Sequence, residues 1–216
     1  MSLLPHIAAI RKNYAMESLT EASVAQDPIT QFKNWMEETI AAEVNEPTAM
    51  VLSTVNSSGR PSGRVILLKD VTTDGFIFFT NYSSRKGQDM LENPVASLTF
   101  FWPELERQVR VEGTIAKVAD EMSDAYFHSR PVGSQIGAWA SPQSQPINSR
   151  EELETADKDF TKRFADLDVI PRPEHWGGYI LAPDHVEFWQ GRPNRLHDRI
   201  VYELQNKQWH LKRLAP

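Results

Sequence analysis

The hydrophobic positions follow two different periods along the chain. After residue 28, Phe32, Trp35, Met36 and Ile40 recur at spacings of three and four residues, the period of an amphipathic helix. From residue 49 onward the apolar residues form short runs rich in Val, Ile, Leu and Phe, separated by turn sequences such as Asn56-Ser-Ser-Gly59. The pattern predicts a helix followed by strands at 49–55, 63–71, 76–81, 95–102, 108–118, 177–181, 185–189, 199–204 and 208–214.

The short turns indicate how these strands pair. A parallel pair needs a long crossover, so closely spaced strands with tight turns predict an antiparallel sheet. Further helices are expected at 84–93, 119–130 and 151–166. We expect a mainly β, α+β fold in which a closed or nearly closed antiparallel barrel carries peripheral helices. Residues 1–27 are polar and aperiodic and predict an N-terminal arm, which leaves 28–216 as a single domain.

Composition and charge remove several classes of function. The chain of 216 residues has 23 Lys and Arg against 29 Asp and Glu, a net charge of −6, which argues against a general nucleic-acid binder. It has no cysteine, and its six histidines are scattered, so no metal site is predicted. No signal-peptide pattern is found, and no apolar run approaches the ~20 residues that span a bilayer. These features predict a cytoplasmic protein without a membrane partner.

Basic residues stand at positions suited to anions. Arg64 and Lys69 bracket an apolar strand, and Arg85 and Lys86 follow two serines at a predicted helix start. Free backbone N–H groups and the helix dipole favour a phosphate at such a start. The alternative is a solvated surface charge at a helix cap.

Two further clusters have similar chemistry. Tyr126 and Arg130 lie four residues apart on one helical face, with Ser134 just beyond, although a plain helix end would look the same. Near the C-terminus, the alternating Arg195, His197 and Arg199 would share one face of an extended segment. The clusters outnumber what one small anion needs, so two phosphorylated ligands are plausible.

At these residues the chain resembles the pyridoxine/pyridoxamine 5′-phosphate oxidase family. The motifs run in order over roughly residues 11–216, and RLHDR with FWQG upstream is the most specific. The resemblance implies a split β-barrel with helices, assembled as a homodimer with FMN bound at the subunit interface. The motifs are RVILLK (64–69), FTNYSSRKG (79–87), ERQVRVEG (106–113), YFHSRP (126–131), SQIGAWAS (134–141), FWQG (188–191), RLHDR (195–199) and the final RLAP.

The resemblance also implies a role for individual residues. The expected FMN contacts, some of them from the second subunit, are Arg64, Val65, Ile66, Leu67, Leu68, Lys69, Phe79, Thr80, Arg85, Lys86, Gln108, Gln143, Ser144, Trp189 and Arg199. The expected substrate contacts are Lys69, Tyr126, Arg130 and Ser134 at the phosphate, Arg195 and His197 as catalytic residues at the pyridine ring, and Arg11 and Tyr14 in an arm that covers the site. Phe79 departs from the family, in which Tyr is common at this position.

The activity implied is FMN-dependent oxidation of pyridoxamine and pyridoxine 5′-phosphates by O₂, which yields pyridoxal 5′-phosphate and H₂O₂. The sequence leaves open whether His197 removes a proton. Two alternatives also stay open: a flavin-dependent reductase on the same barrel, since fold does not determine function, and a non-catalytic protein that binds pyridoxal phosphate. The Tyr126, Arg130 and Ser134 cluster argues against a general reductase, which needs no second phosphate pocket.

Overall fold

The computed structural model describes residues 13–216, which form five α-helices, nine β-strands and one short 3₁₀ helix. The helices are α1 (Pro28–Ala41), α2 (Arg85–Glu92), α3 (Asp120–Ser129), α4 (Val132–Ala140) and α5 (Arg150–Arg163). The strands are β1 (Ala49–Val55), β2 (Pro61–Leu67), β3 (Asp70–Val71), β4 (Phe76–Asn81), β5 (Val95–Trp102), β6 (Arg107–Lys117), β7 (Trp176–Gln190), β8 (Asp198–Gln205) and β9 (Gln208–Arg213).

The strands belong to one sheet with the order β2-β1-β5-β6-β7-β4-β3, and β8 and β9 continue from β7. The β1–β2, β3–β4, β4–β7, β7–β8 and β8–β9 pairs are antiparallel. In the β1–β2 pair Leu52 lies opposite Arg64, and in the β4–β7 pair Phe79 lies opposite Gly178. The predicted α+β class and antiparallel pairing are confirmed.

The structure corrects the prediction in three places. The strand expected at 63–71 is divided into β2 and β3, and those expected at 177–181 and 185–189 are one strand, β7. Pro183 lies between the two predicted strands, and a proline can remain within a strand where no ladder N–H is needed. Helix α4 was not predicted, because Gly133 and Gly137 have low helix propensity and obscure its period.

Two compact units can be distinguished. Among the described residues, the first contains 13–47 together with 99–111 and 184–216. Its helix α1 begins at Asp27, whose side chain accepts the Thr30 N–H at 2.8 Å. The apolar face of α1 places Trp35 edge-on to Phe188, with ring centroids 5.2 Å apart. Burial of these aromatic side chains supplies the core of this unit.

The second unit contains residues 48–98 and 112–183. Its strands bury Leu52, Phe76 and Phe78, each at 0% exposure. Its helices pack around a separate cluster made of Phe127, Ile136, Phe164, Ile170 and Trp176. The two groups of buried side chains hold β2, β4, α2 and α3 in place, and these four elements carry most of the candidate site.

Candidate active site

A cavity of about 650 Å³ lies within the second unit. Five of the described residues that line it are cations, and none of them is acidic. Its wall therefore attracts anions strongly although the whole chain has a net charge of −6. The lining residues are Ser62, Gly63, Arg64, Val65, Ile66, Leu67, Lys69, Phe79, Thr80, Asn81, Arg85, Lys86, Tyr126, Arg130, Gln143, Ser144 and Trp176.

The start of α2 supplies two of the cations. Ser84 is the N-cap: its hydroxyl accepts the Gly87 N–H and donates to the Asn81 carbonyl at 2.6 Å. Lys86 Nζ donates to Thr80 Oγ1 and Ser84 Oγ, both at 3.1 Å, and to Gln143 Oε1 at 2.6 Å. Burial, with a contribution from nearby Arg64, lowers the pKa of Lys86 to about 8. Lys86 is thus a desolvated cation held among neutral oxygens.

Arg64 is held by the strand next to its own. Its Nη1 donates to the Leu52 carbonyl at 3.1 Å and to Thr54 Oγ1 at 2.8 Å, and its Nη2 donates to Ser62 Oγ at 2.7 Å. Asp89 on α2 lies 3.9 Å from Nη2. Burial lowers the pKa of Arg64 and Arg85 lowers it further, whereas Asp89 raises it. These contacts fix the guanidinium at the cavity wall.

An aromatic stack forms another part of the wall. The Phe79 ring stacks on Tyr126 with centroids 4.0 Å apart and lies 5.7 Å from Trp176. The Arg130 guanidinium lies 4.6 Å from the centroid of the Trp176 ring. Its Nη1 is buried and has no hydrogen-bond partner among residues 13–216, which marks it as a donor for a ligand. Burial lowers the pKa of Arg130, and Tyr126 opposes that shift.

Most of the site residues predicted in the second unit meet at this cavity; two do not. The Leu68 side chain is buried in the core, and Ser134 is exposed on α4 outside the lining. Trp176 was missed, because only the register of β7 against β4 brings it beside Phe79 and Asn81. The sequence pattern also did not indicate Ser62, Gly63 or Asn81.

The remaining predicted residues that the structure describes belong to the first unit, where His197 is the centre of a second group. Its Nδ1 accepts the Arg192 N–H at 3.0 Å, and its ring centroid lies 4.6 Å from Trp189 and 5.8 Å from Tyr14. Burial lowers the pKa of His197, and the charge on Arg195 lowers it further. Because Nδ1 accepts a hydrogen bond, the neutral ring carries its proton on Nε2.

The extended segment expected from Arg195 to Arg199 is wrong in its first half. Residues Pro193–Arg195 form the 3₁₀ helix, Arg195 has a φ of 63°, and β8 begins only at Asp198. The alternation therefore does not place three side chains on one strand face. The left-handed turn at Asn194 and Arg195 instead leaves Arg195 exposed.

Arg199 makes an internal ion pair. Its Nε and Nη2 donate to the two carboxylate oxygens of Glu187 at 3.0 and 2.8 Å, and its Nη1 donates to the Ala215 carbonyl. Gln108 is half-buried on β6. Arg11 lies outside the described residues.

Two structural features do not occur in the described part of the chain. Within residues 13–216, no three His, Asp or Glu side chains come together as metal ligands would. In the same range, no helix has the length and apolar character needed to span a membrane.

Comparison with known proteins gives consistent matches. Residues 36–160 match the family model described as pyridoxamine 5′-phosphate oxidase, and residues 176–216 match the pyridoxine 5′-phosphate oxidase C-terminal dimerisation region. A pyridoxine/pyridoxamine 5′-phosphate oxidase of Bordetella avium is 56% identical over 211 residues, 97% of this chain and 99% of the relative. A pyridoxine/pyridoxamine 5′-phosphate oxidase of Cyanothece is 52% identical, and the match covers 97% of this chain and 98% of that relative.

Solved structures agree with the fold. PhzG from Burkholderia lata, solved in complex with tetrahydrophenazine-1-carboxylic acid, has a TM-score of 0.87 and 31% identity, covering 94% of this chain and 100% of its own. A pyridoxamine 5′-phosphate oxidase-related, FMN binding protein from Nostoc punctiforme has a TM-score of 0.69 and 18% identity, covering 89% and 100%. The split-barrel fold and the family predicted from the motifs are confirmed: the chain belongs to the pyridoxine/pyridoxamine 5′-phosphate oxidase family of oxidoreductases.

Proposed function

We propose that the protein uses FMN to oxidise pyridoxamine and pyridoxine 5′-phosphates with O₂, yielding pyridoxal 5′-phosphate and H₂O₂. Oxidation of the amine also consumes one water, which hydrolyses the imine, and releases ammonia. The observation that carries this proposal is the 650 Å³ cavity with five cations and no acidic residue in its lining. Five cations exceed what a single phosphate requires, and both FMN and the substrate carry one. The membership of the oxidase family agrees with this chemistry.

The chain's residues fit FMN at one group of these cations. Arg64, Arg85 and Lys86 would bind its phosphate, because charge-assisted hydrogen bonds to a phosphate are strong and Lys86 is already desolvated. Residues 64–67 on β2, together with Lys69, Phe79, Thr80, Gln143 and Ser144, line the same cavity and would contact the rest of the cofactor. Leu68 would contribute through its backbone only, since its side chain lies in the core.

The other cations would hold the substrate. Arg130 offers a buried Nη1 without a partner among residues 13–216, and Lys69 Nζ lies 6.0 Å from the centroid of the Tyr126 ring. A substrate phosphate would satisfy that orphaned donor, and the Tyr126 hydroxyl is suited to the same anion. Ser134, exposed at the start of α4, would have to contribute from the rim.

When bound, FMN would accept a hydride equivalent from C4′ of the substrate and deliver the electrons to O₂. The protein's task is to hold the substrate ring in place. Arg195 and His197 would do this at the pyridine ring. The Nε2–H of neutral His197 is suited to donate a hydrogen bond there, since its Nδ1 is occupied by the Arg192 N–H.

We also propose a homodimer in which Gln108, Trp189, Arg195, His197 and Arg199 of one protomer complete the cavity of its partner. Four of these residues lie in the segment that matches the dimerisation region. The outer face of β2 exposes Val65 at 68% and Leu67 at 37%, and the adjacent Val51 on β1 is 38% exposed. A second copy would cover these apolar side chains. The cysteine-free chain suits the reducing cytoplasm, where we place the enzyme.

One experiment separates this function from the alternatives. The purified protein is examined for bound flavin and assayed for H₂O₂ with pyridoxamine phosphate, pyridoxine phosphate and their unphosphorylated forms. We expect yellow protein and H₂O₂ from the phosphorylated compounds. Colourless protein that binds pyridoxal phosphate without turnover would identify a carrier. Flavin-containing protein that makes no H₂O₂ but reduces another acceptor would identify a reductase.

A further inference from the structure

Glu106 carries a carboxylate that the proposed reaction does not use. The residue is only 3% exposed, and its Oε2 accepts the backbone N–H groups of Ala15 at 2.9 Å and Met16 at 3.2 Å. Burying a carboxylate is costly unless hydrogen bonds compensate for the lost water. Here those bonds come from a segment about 90 residues away in sequence. The carboxylate therefore anchors the described part of the N-terminal arm beside the start of β6.

The anchored segment places Tyr14 against Trp189, Gly191 and His197, which together form the Tyr14 seat. The Tyr14 ring meets Trp189 and His197, each with centroids 5.8 Å apart. A Cβ added to Gly191 would lie 2.8 Å from Tyr14 Cγ, closer than real contacts allow. Position 191 must therefore lack a side chain for the ring to fit.

The backbone of Glu106 binds the part of the Tyr14 seat that contains Gly191. Its carbonyl accepts the Gly191 N–H at 2.7 Å and a Gln190 side-chain N–H at 3.2 Å. Its φ of 56° is left-handed, a conformation that points to local constraint in a residue other than glycine. Glu106 thus binds the arm through its side chain, and it binds Gly191 beside Tyr14 through its backbone carbonyl.

We propose that Glu106 is a positioning residue that keeps Tyr14 seated against His197 and Trp189. This inference rests on the proposed function, in which His197 contacts the substrate, and on the covering role that the family resemblance implies for Tyr14. Loss of the carboxylate would release the arm and weaken substrate binding while leaving the FMN contacts unchanged. A purely structural role would instead lower the stability of the whole unit and affect the cofactor and the substrate alike.

The test uses the flavin-loaded enzyme with Glu106→Ala and Glu106→Gln. The control is Glu104→Ala, which removes an exposed carboxylate in the same turn. The first measurement is amide hydrogen exchange in a peptide covering residues 13–19. Loss of charge-assisted bonds should speed exchange at Ala15 and Met16 about ten- to a hundredfold in the Ala variant. The Gln variant should fall between, since its amide oxygen still accepts these N–H groups, and the control should match wild type.

The second measurement is steady-state oxidation of pyridoxamine phosphate. Glu106→Ala should raise KM about tenfold with a smaller change in kcat, while FMN affinity and the thermal midpoint stay near wild type. Gly191→Ala, which displaces Tyr14 but keeps the carboxylate, should raise KM similarly. In a Tyr14→Ala background, Glu106→Ala should have little further effect, because both changes remove the same contact.

Two results would overturn the proposal: unchanged exchange at Ala15 and Met16 in Glu106→Ala, or an undiminished KM effect of that variant in the Tyr14→Ala background. Failure of the proposed function is seen separately, as wild-type protein without oxidase activity. The exchange measurement still decides the anchoring role in that case.

Discussion

The Arg130 guanidinium lies 4.6 Å from the centroid of the Trp176 ring, and its buried Nη1 has no hydrogen-bond partner among residues 13–216. The indole supports the cation from one side, which fixes its position. A buried donor without a partner costs free energy, so the pair is prepared for a ligand that supplies an acceptor. Although burial lowers the pKa of Arg130, a guanidinium keeps its charge at neutral pH.

Arg130→Ala should raise the KM for pyridoxamine phosphate about ten- to a hundredfold, because a hydrogen bond to a charged group contributes roughly 1.5–3 kcal/mol. Flavin content should stay normal. Steady-state kinetics with phosphorylated and unphosphorylated substrate provide the check: wild type should discriminate strongly between them and the variant much less.

Arg163→Ala is the matched control for this prediction. Arg163 also lies over aromatic rings, 5.9 Å from Trp139 and 5.8 Å from Phe160, but it does not line the cavity. Its substitution should leave KM unchanged. Equal discrimination by wild type and Arg130→Ala would place the substrate phosphate elsewhere.

Lys86 predicts a pH dependence of FMN binding. Burial lowers its pKa to about 8, so the free protein loses this charge as the pH rises through 8. FMN affinity should fall between pH 7 and 9.5. The Lys86→Met variant should bind FMN more weakly than wild type at pH 7, and its FMN affinity should be nearly independent of pH. The stability of the flavin-free protein should instead increase as the pH rises above 8. The unfolded chain keeps its proton up to about 10.5, so the penalty for the buried charge disappears as the pH rises from 8.

Flavin fluorescence quenching as a function of pH measures the first effect, and urea unfolding of the flavin-free protein measures the second. Arg60→Met is the control, since Arg60 is an exposed cation next to β2. A pH dependence of FMN affinity that survives in Lys86→Met would assign the titration to another group.

The strands and their antiparallel direction were predictable because short apolar runs and tight turns are local signals. β1, β4 and β5 have the predicted bounds. The chemistry at Arg85 and Lys86 was also readable, since a serine cap followed by two cations is a local pattern. Trp176 was not, because its place beside Phe79 depends on the register between strands about 100 residues apart.

The region before β8 shows a second limit. Alternation of Arg195, His197 and Arg199 suggested an extended face. Pro193 and Asn194 are turn residues, but they do not show that the left-handed conformation continues to Arg195. The role of Glu106 was equally hidden, since its partners Ala15 and Met16 contribute only backbone N–H groups. Nearly every residue type can supply a backbone N–H, so such contacts cannot be recognised from the sequence.

Val51→Asp should weaken the dimer and flavin retention together. Val51 lies opposite Val65 on the exposed apolar face of the β1–β2 pair, but it does not line the cavity. A buried aspartate without a partner would oppose association. Sedimentation across a dilution series, with flavin absorbance followed in the same cell, provides the measurement. Val169→Asp, at an exposed valine outside the strands, is the control. A Val51→Asp monomer that retains all its FMN would contradict an interface site.

Arg199→Ala should destabilise the protein as well as weaken FMN binding. It removes the bidentate partner of Glu187, whose side chain is 4% exposed, and leaves Arg110 at 3.7 Å. Because Arg199 is partly exposed and Arg110 still faces the carboxylate, the expected loss is that of charge-assisted hydrogen bonds, about 1.5–3 kcal/mol. Urea unfolding of the flavin-free protein should show this loss, and Arg110→Ala should show a smaller one. Unchanged unfolding together with loss of flavin would mean that Arg199 serves the cofactor alone.

In His197→Asn, both the stability and kcat/KM should fall less than in wild type as the pH is lowered. In wild type, burial and Arg195 lower the pKa of His197 below its ordinary 6.5, so the unfolded chain binds a proton first as the pH falls. Stability should therefore drop through and below pH 6.5, and kcat/KM should drop with it, because protonation at Nδ1 breaks the bond from the Arg192 N–H. Arg195→Ala should raise the His197 pKa, measured by NMR titration of the ring, and should slow flavin reduction in anaerobic single turnovers. His210→Asn, at an exposed position on β9, is the control and should leave both profiles unchanged. If His197→Asn kept the full acid limb of kcat/KM, another group would be responsible for it, and His197 would act only by holding the ring of the substrate.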